Sequence, residues 1–251
     1  MNDQFQGKTA VVTGAGSGIG AAIAAELAAG GAHVIVSDLD EAAATRVAEA
    51  IRAKGGAADV FVADVADAEA NERLVGFAEQ QTGALHLAVN NAGIGGPSAR
   101  VGEYPLEGWK KVIDVNLNGV FYGMRAQIPA LERAGGGAIV NMASILGTVG
   151  FANASAYVAA KHAVLGLTRT AAMEYAAKGI RINSVGPAFI NTPLLEKNLS
   201  SEVLGQLASL HPIGRLGTSE EVSALTCFLL SDRASFINGS YHLVDGAYTA
   251  Q

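Results

Sequence analysis

The chain has 251 residues, of which 50% are apolar and 16% charged. That composition excludes a disordered protein and suits one α/β domain with a large core. A net charge of −6, with no local Lys/Arg cluster, gives no electrostatic footprint for nucleic acid, and no basic amphipathic stretch suits a membrane surface.

The elements follow in regular alternation. Thr9 to Thr13 reads as a short buried strand and Gly18 to Ala29 as an Ala-rich helix stopped by Gly30-Gly31. His33 to Ser37 is the next strand, Glu41 to Lys54 a helix, Ala58 to Ala63 a strand, Ala68 to Gln81 a helix, and Leu85 to Asn90 a strand. Leu106 to Arg133 can hold one long helix, Ala138 to Met142 a strand, Ala156 to Ala177 another long helix, and Ile180 to Val185 a strand. Leu194 to Leu210 is less regular and suits short helices; Glu220 to Leu230 is a helix and Ser240 to Val244 a last strand. Continuously apolar strands alternating with helices imply parallel βαβ units, with a sheet covered on both faces. The right-handed crossover rule leaves a doubly wound, Rossmann-type parallel sheet as the simplest topology. No linker or repeat divides the chain, so residues 1–251 read as one dinucleotide-binding catalytic domain, with a lid-like segment at about residues 190–215.

The one cysteine, Cys227, forbids an intrachain disulfide, which fits a reducing, cytoplasmic location. It lies in an apolar helical pattern, where packing is the expected role. The polar start lacks the pattern of a signal peptide, and no apolar run reaches membrane-spanning length.

Thr13-Gly14-Ala15-Gly16-Ser17-Gly18-Ile19-Gly20 joins the first strand to the first helix. Glycines there permit a tight turn and close approach of a pyrophosphate to unpaired helix N–H groups. Gly14, Ser17, Gly18, Ile19 and Gly20 are therefore candidate cofactor contacts. Asp38 closes the second strand, 18 positions past Gly20. A carboxylate there accepts hydrogen bonds from ribose hydroxyls and repels a 2′-phosphate. The next residue is Leu39 rather than a cation, so NAD is favoured over NADP. The ordinary duty of such a carboxylate, capping the helix from Glu41, is available to Asp40 instead.

Tyr157 and Lys161 are four apart in a helical segment and share a face. A nearby ammonium lowers a phenol's pKa, which suits a group exchanging a proton with a carbinol oxygen. Ser144 lies just past a strand end, where open α/β sheets present ligands.

With these residues in view, the chain resembles a short-chain dehydrogenase/reductase over essentially its whole length. The glycine pattern Thr13-Gly14-x-x-x-Gly18-x-Gly20 is that family's, as are Asn90-Asn91-Ala92-Gly93 and Val244-Asp245-Gly246. Asn116, Ser144, Tyr157 and Lys161 match its catalytic tetrad in order and spacing. Asp64-Val65 resembles its adenine-contacting pair, and Ile190 and Thr192, after Pro187, its nicotinamide contacts. The resemblance implies a seven-stranded parallel sheet, usually a homotetramer, and roles for each group. Tyr157 is then the general acid/base. Lys161 lowers its pKa and hydrogen-bonds the nicotinamide ribose. Ser144 orients the substrate oxygen, and Asn116 holds a water relaying protons toward Lys161. Asn91, Ala92 and Gly93 join the cofactor set.

Two departures stand out. The usual Pro-Gly reads Gly186-Pro187-Ala188, and a positive φ would sit badly on Ala188. The usual C-terminal Gly-Gly reads Gly246-Ala247. The candidate pocket walls are Ile145, Leu146, Phe189, Leu194, Leu195 and Leu199, with Ile94-Gly95-Gly96 opposite. An apolar pocket with one polar corner suits a lipophilic or alicyclic secondary alcohol and its ketone. The helix through Val164, Leu165 and Met173, and the one through Val120, Phe121, Met124 and Ile128, carry more apolar surface than one face needs, as a subunit interface would. The five histidines are scattered, so no metal is assigned, although in some relatives the terminal carboxylate, here Gln251, helps bind a divalent cation. The rival readings are a 3-oxoacyl-thioester reductase, which would prefer NADPH and need a basic mouth, and an NAD-binding regulatory module, expected to lack Tyr157 or Lys161.

Overall fold

β1 (Thr9–Thr13) is buried at all five positions, and its alternate residues serve different faces. Ala10 and Val12 join one apolar cluster, Val11 the other. The strand is short and apolar at its three central positions because it has cover on both sides. The computed structural model describes residues 4–192, 195 and 200–250.

After β1 come α1 (Gly18–Ala29), β2 (His33–Asp38), α2 (Glu41–Ala53), β3 (Ala57–Val62), α3 (Ala68–Thr82) and β4 (Leu87–Asn90). The second half holds α4 (Leu106–Ile113), α5 (Gly119–Arg133), β5 (Gly137–Met142), α6 (Ser155–Tyr175), β6 (Ile180–Pro187), α7 (Ser201–Ser209), α8 (Ser219–Leu230) and β7 (Tyr241–Val244). The seven strands form one sheet in the order β3-β2-β1-β4-β5-β6-β7. Every pairing is parallel. The fold is thus the doubly wound Rossmann type that the alternation predicts. The winding reverses between β1 and β4, which opens a crevice at their carboxyl ends.

On one face Ile23 and Leu27 of α1, Ala44 and Ile51 of α2, and Val222 and Leu229 of α8 pack on Val12, Val34, Val36 and Val140. On the other, Leu74 of α3, Val120, Met124 and Ile128 of α5, and Val164 and Leu165 of α6 pack on Val11, Ile35, Ile139 and Ile182. Each fully buried Leu or Ile contributes about 1.5–3 kcal/mol of transfer free energy. Val164, Leu165, Ala171 and Ala172 are therefore core residues, while Met173 is 83% exposed and Phe121 46%. Asp40 caps α2 by accepting from the Ala43 N–H at 3.0 Å, as expected. Thr218 and Glu221 form a capping box on α8.

Three findings differ from the sequence expectation. The helix from Leu106 to Arg133 is continuous but carries a π turn at Asp114–Asn118. Its cause is visible: the Asn116 carboxamide bonds the main chain of Ile94 in both directions, at 2.8 Å each. Second, Ala188 has no positive φ, whereas Ala247 does, at +69°. The strain belongs to the C-terminal turn, where the Asp245 carboxylate accepts from the N–H groups of Ala247 and Thr249 and from the Thr249 hydroxyl. Third, Leu85 packs in the core but precedes β4, and β6 runs on to Pro187. Of the irregular Leu194–Leu210 stretch, α7 is a regular helix. Leu194 and Leu199, like Gln251, lie outside the described residues.

Candidate active site

The carboxyl ends of the parallel strands supply nearly every site residue: the glycine loop after β1, Asp38 at the end of β2, Asp64 past β3, Asn91 after β4, Ser144 past β5, and Phe189 to Thr192 beyond β6.

The glycine loop is tight by construction. Gly14 and Gly18 have φ of +62° and +52°. A Cβ on Gly20 would lie 2.2 Å from the Gly14 carbonyl oxygen, and one on Gly14 would lie 2.8 Å from Ala92 Cα. No side chain caps the N-terminus of α1 and no acidic residue stands in its first turn, so its positive end is open to an anion. Asn91 secures the loop: its side-chain amide donates to the Thr13 and Gly14 carbonyls at 2.9 and 3.1 Å. The Thr13 hydroxyl oxygen accepts from the N–H groups of Asn91 and Ala92. Asn91 therefore shapes the cradle through its amide, and Thr13 is a loop-forming residue that sequence reasoning missed. Gly18 faces Thr192, whose Cγ2 would meet an added Cβ at 3.2 Å; Ile190 beside it is buried.

Asp38 accepts from the Gly16 N–H at 2.8 Å and from the Asp40 N–H at 3.0 Å. Its carboxylate so stands at the rim of the glycine loop, next to Leu39, which is 68% exposed. Asp64 is exposed and bonds the Ala66 N–H at 2.9 Å, while Val65 is buried against Gly119. These features fit a dinucleotide: an uncapped helix end, a close backbone approach that side chains would fill, and a carboxylate one strand away.

Ser144 is buried and extended, and its Oγ accepts from the Leu146 N–H at 3.2 Å. Lys161 is buried in α6, its Nζ donating to the Met142 carbonyl at 2.7 Å and lying 5.5 Å from the Tyr157 ring centroid. An added Cβ on Gly93 would meet Asn116 Oδ1 at 3.3 Å and Lys161 Nζ at 3.7 Å, so Asn116, Gly93 and Lys161 meet. Burial pushes the half-buried Tyr157 phenol above its ordinary value, against hydrogen bonding with Ser144, which draws it down. Burial likewise pulls the Lys161 ammonium down to about 8. Desolvation is the largest influence on both groups.

That ammonium makes stability pH-dependent. An unfolded chain holds the lysine's proton up to about 10.4, so between pH 8 and that value the unfolded state binds more protons and stability rises with pH. Relative to Lys161→Met, the wild type is expected to gain about 2 kcal/mol between pH 7 and 9.5. Urea unfolding of both proteins at the two pH values measures this, and a constant difference would contradict a desolvated ammonium.

Of the expected pocket walls, Ile145 is fully buried and Leu146 nearly so; they support the serine turn from behind. Leu195 is partly buried, its N–H 3.5 Å from the Thr192 hydroxyl. Phe189 belongs to an aromatic group absent from the sequence reading. Its ring centroid is 5.9 Å from Phe151, 5.8 Å from His211 and 5.9 Å from Tyr248. His211 Nδ1 lies 2.9 Å from the Leu207 carbonyl, so that nitrogen carries the hydrogen, while the buried Nε2 has no hydrogen-bond partner. Phe189 and His211 also line a cavity of about 90 Å³ with Ala188, Val244 and Gly246. The residues come from four separate stretches, and no local signal joins them.

Beneath the site lies a buried amide network. Asn90 exchanges hydrogen bonds with Gln127 at 3.1 and 2.8 Å and donates to Asn141 Oδ1 at 2.9 Å; Asn141 donates to Thr168 Oγ1 at 3.0 Å. The bonds tie β4 and β5 to α5 and α6, the elements that carry Asn91, Ser144 and Lys161.

A doubly wound sheet with a glycine-loop cradle and a Ser-Tyr-Lys group at its strand ends defines a dehydrogenase built on a dinucleotide fold. The chain belongs to the short-chain dehydrogenase/reductase family, which uses a nicotinamide cofactor, and it is an oxidoreductase of the alcohol dehydrogenase type acting on CH–OH groups. Residues 14–249 match the family described as Enoyl-(Acyl carrier protein) reductase. The chain is 53% identical over 251 residues to a cyclohexanol dehydrogenase of Acinetobacter sp. (strain SE19), covering 100% of this chain and 98% of the relative. It is 45% identical to a cis-4-hydroxycyclohexanecarboxylate dehydrogenase of Sinomonas cyclohexanicum, covering 100% of both. The crystal structure of levodione reductase superposes with a TM-score of 0.94 at 34% identity, over 98% of this chain and 99% of that one. No helix among the described residues is long and apolar enough to cross a membrane.

Proposed function

We propose that the chain interconverts alicyclic secondary alcohols and their ketones with NAD(H). The observation that carries this is the aromatic wall of Phe151, Phe189 and Tyr248, which come from the loop before α6, the segment after β6 and the turn after β7. Flat apolar walls suit a saturated ring whose one polar carbon is turned to Ser144 and Tyr157. The relatives named for six-membered-ring alcohols support the same class.

The bound nicotinamide supplies the hydride acceptor or donor. Gly14, Ser17, Gly18, Ile19, Gly20, Asp38, Leu39, Asp64, Val65, Asn91, Ala92, Gly93, Pro187, Ile190 and Thr192 form its binding surface. Lys161 stands between that surface and Tyr157. Ser144 orients the carbinol oxygen with its hydroxyl. Tyr157 takes that oxygen's proton during oxidation and returns it during reduction. The Asn116 side chain is bound to Ile94, so the water relay toward Lys161 runs from its main-chain carbonyl. Residues 1–251 act as one domain, the segment at about 190–215 closing over the substrate. Exposed Phe121 and Met173 support a homotetramer, and we place the enzyme in the cytoplasm.

NAD rests on Asp38. Replacing Asp38 by Ser together with Leu39 by Arg is expected to move the NADPH-to-NADH affinity ratio by roughly 10- to 100-fold toward NADPH, because a repelling charge becomes a forked donor. NADH affinity should fall in the same variant, since Asp38 also holds the Gly16 N–H. Fluorescence titration of each cofactor reads both effects. The test of the whole reading is a turnover screen: NADH with cyclohexanone-like ketones against NADPH with 3-oxoacyl thioesters. Efficient turnover of ring ketones supports it; turnover confined to NADPH and thioesters would replace it with the 3-oxoacyl-thioester reductase.

A further inference from the structure

Tyr241, the first residue of β7, donates its phenolic hydrogen to the main-chain carbonyl of Ser144 at 2.7 Å, across 97 positions of sequence. We propose that Tyr241 is a positioning residue that fixes the Ser144 hydroxyl against Tyr157, and that Gly186 is the notch that admits it. The proposal rests on the assignment of Ser144 above.

The need for such a clamp follows from where Ser144 sits. The β5–β6 ladder ends at the pair Met142 and Val185, with one further bond from the Ala143 N–H to the Val185 carbonyl. Ser144 is therefore the first residue beyond the sheet's own hydrogen bonds. Its carbonyl accepts from the Gly147 N–H, which closes the turn Ile145–Gly147. That bond shapes the turn but does not tie it to the sheet. Tyr241 takes the carbonyl's remaining lone pair and anchors the turn to the neighbouring strand. With the main chain held, the Ser144 Oγ that accepts from Leu146 has one defined direction left for its hydrogen.

Gly186 supplies an independent observation. Ser184 is the register partner of Tyr241 and Gly186 that of Leu243, so Tyr241 and Gly186 are diagonal neighbours on one face. A Cβ on Gly186 would lie 2.2 Å from the Tyr241 hydroxyl oxygen and 2.4 and 2.5 Å from two ring carbons. The φ of Gly186 is not positive, so backbone conformation does not require glycine there; room for the phenol does. Burial pushes the Tyr241 phenol up, Thr148 draws it down and Asp245 pushes it up again. The group accordingly remains an O–H donor over the working range of an assay.

A double-mutant cycle tests the proposal. Tyr241→Phe removes the hydroxyl and keeps the ring. It is expected to lower kcat for a ring alcohol by about 10-fold, with NADH affinity and melting temperature close to wild type. Ser144→Ala is expected to lower kcat by about 100-fold or more; adding Tyr241→Phe to it should cost less than about twofold further. Gly186→Ala should lower kcat as Tyr241→Phe does and should also lose folding yield, which Gly186→Ala with Tyr241→Thr should recover. A wild-type kcat in Tyr241→Phe overturns the proposal, as does an equal loss in both backgrounds, which would place the hydroxyl's effect elsewhere. Wild-type turnover in Ser144→Ala would instead remove the serine from the reaction and take this proposal with it.

Discussion

Tyr157→Phe is expected to reduce turnover by about 10³-fold or more while leaving NADH binding within about twofold of wild type. The variant removes only the atom that exchanges a proton with the carbinol oxygen. The ring remains under Lys161, whose Nζ is anchored on the Met142 carbonyl, so the cofactor surface is undisturbed. The pH dependence carries a further sign. Burial raises the phenol, so the form that accepts a proton grows only as pH climbs. Alcohol oxidation should therefore increase from neutral into alkaline pH, and ketone reduction should not. The rising limb should vanish from the residual activity of the phenylalanine enzyme. Steady-state rates in both directions, with fluorescence titration of NADH, settle the matter: retained turnover would remove Tyr157 from the chemistry, and lost binding would make it a cofactor ligand first.

Gly20→Ala is expected to cost at least about 100-fold in NADH affinity and about 2–3 kcal/mol in stability. The new methyl carbon would meet the Gly14 carbonyl oxygen at 2.2 Å and the Asn91 amide nitrogen at 2.6 Å. Neither is the free end of a flexible side chain: one is backbone, the other is bonded to two loop carbonyls. Relief must come from opening the turn that we propose receives the pyrophosphate. Gly76 provides the contrast, because it lies inside α3 and an added methyl carbon there would have nothing within 4 Å. Gly76→Ala should stabilise the fold by about 0.5–1 kcal/mol and leave binding alone. Chemical unfolding and NADH titration of both variants give the comparison. Equal effects at the two positions would mean that the loop is looser than its geometry states.

The sequence made the sheet legible because its strands are largely apolar and because Asp40 caps the helix that follows it, as side-chain chemistry requires. It made the tight glycine loop legible because glycines that need a positive φ or a close approach report themselves locally. What it hid has a common character: bonds between distant elements. The π turn at Asn116 depends on Ile94, 22 positions away. The aromatic wall joins residues 151, 189, 211 and 248, none of which sees another along the chain. The buried amides left a fainter trace, since Asn90, Asn141 and Gln127 are polar residues at positions whose periodicity demands burial. Polar groups there need partners, and the sequence announces the need without naming the partner. The Tyr157 phenol shows the other limit: spacing places it beside Lys161 but says nothing of how deeply both are buried.

The order in which the chain is made gives the last strand and helix a particular weight. α1 is synthesised long before α8, yet its Ile23 and Leu27 share their core with Val222, Cys227, Leu229 and Leu230 of α8, and Glu26 accepts a hydrogen bond from Ser223, 197 positions later. The helix after the glycine loop thus waits, with an apolar flank uncovered, until α8 has been made. The Ser144 turn receives its Tyr241 anchor later still. The helix after the glycine loop and the Ser144 turn are thus both completed by the C-terminal segment, α8 covering the one and β7 anchoring the other.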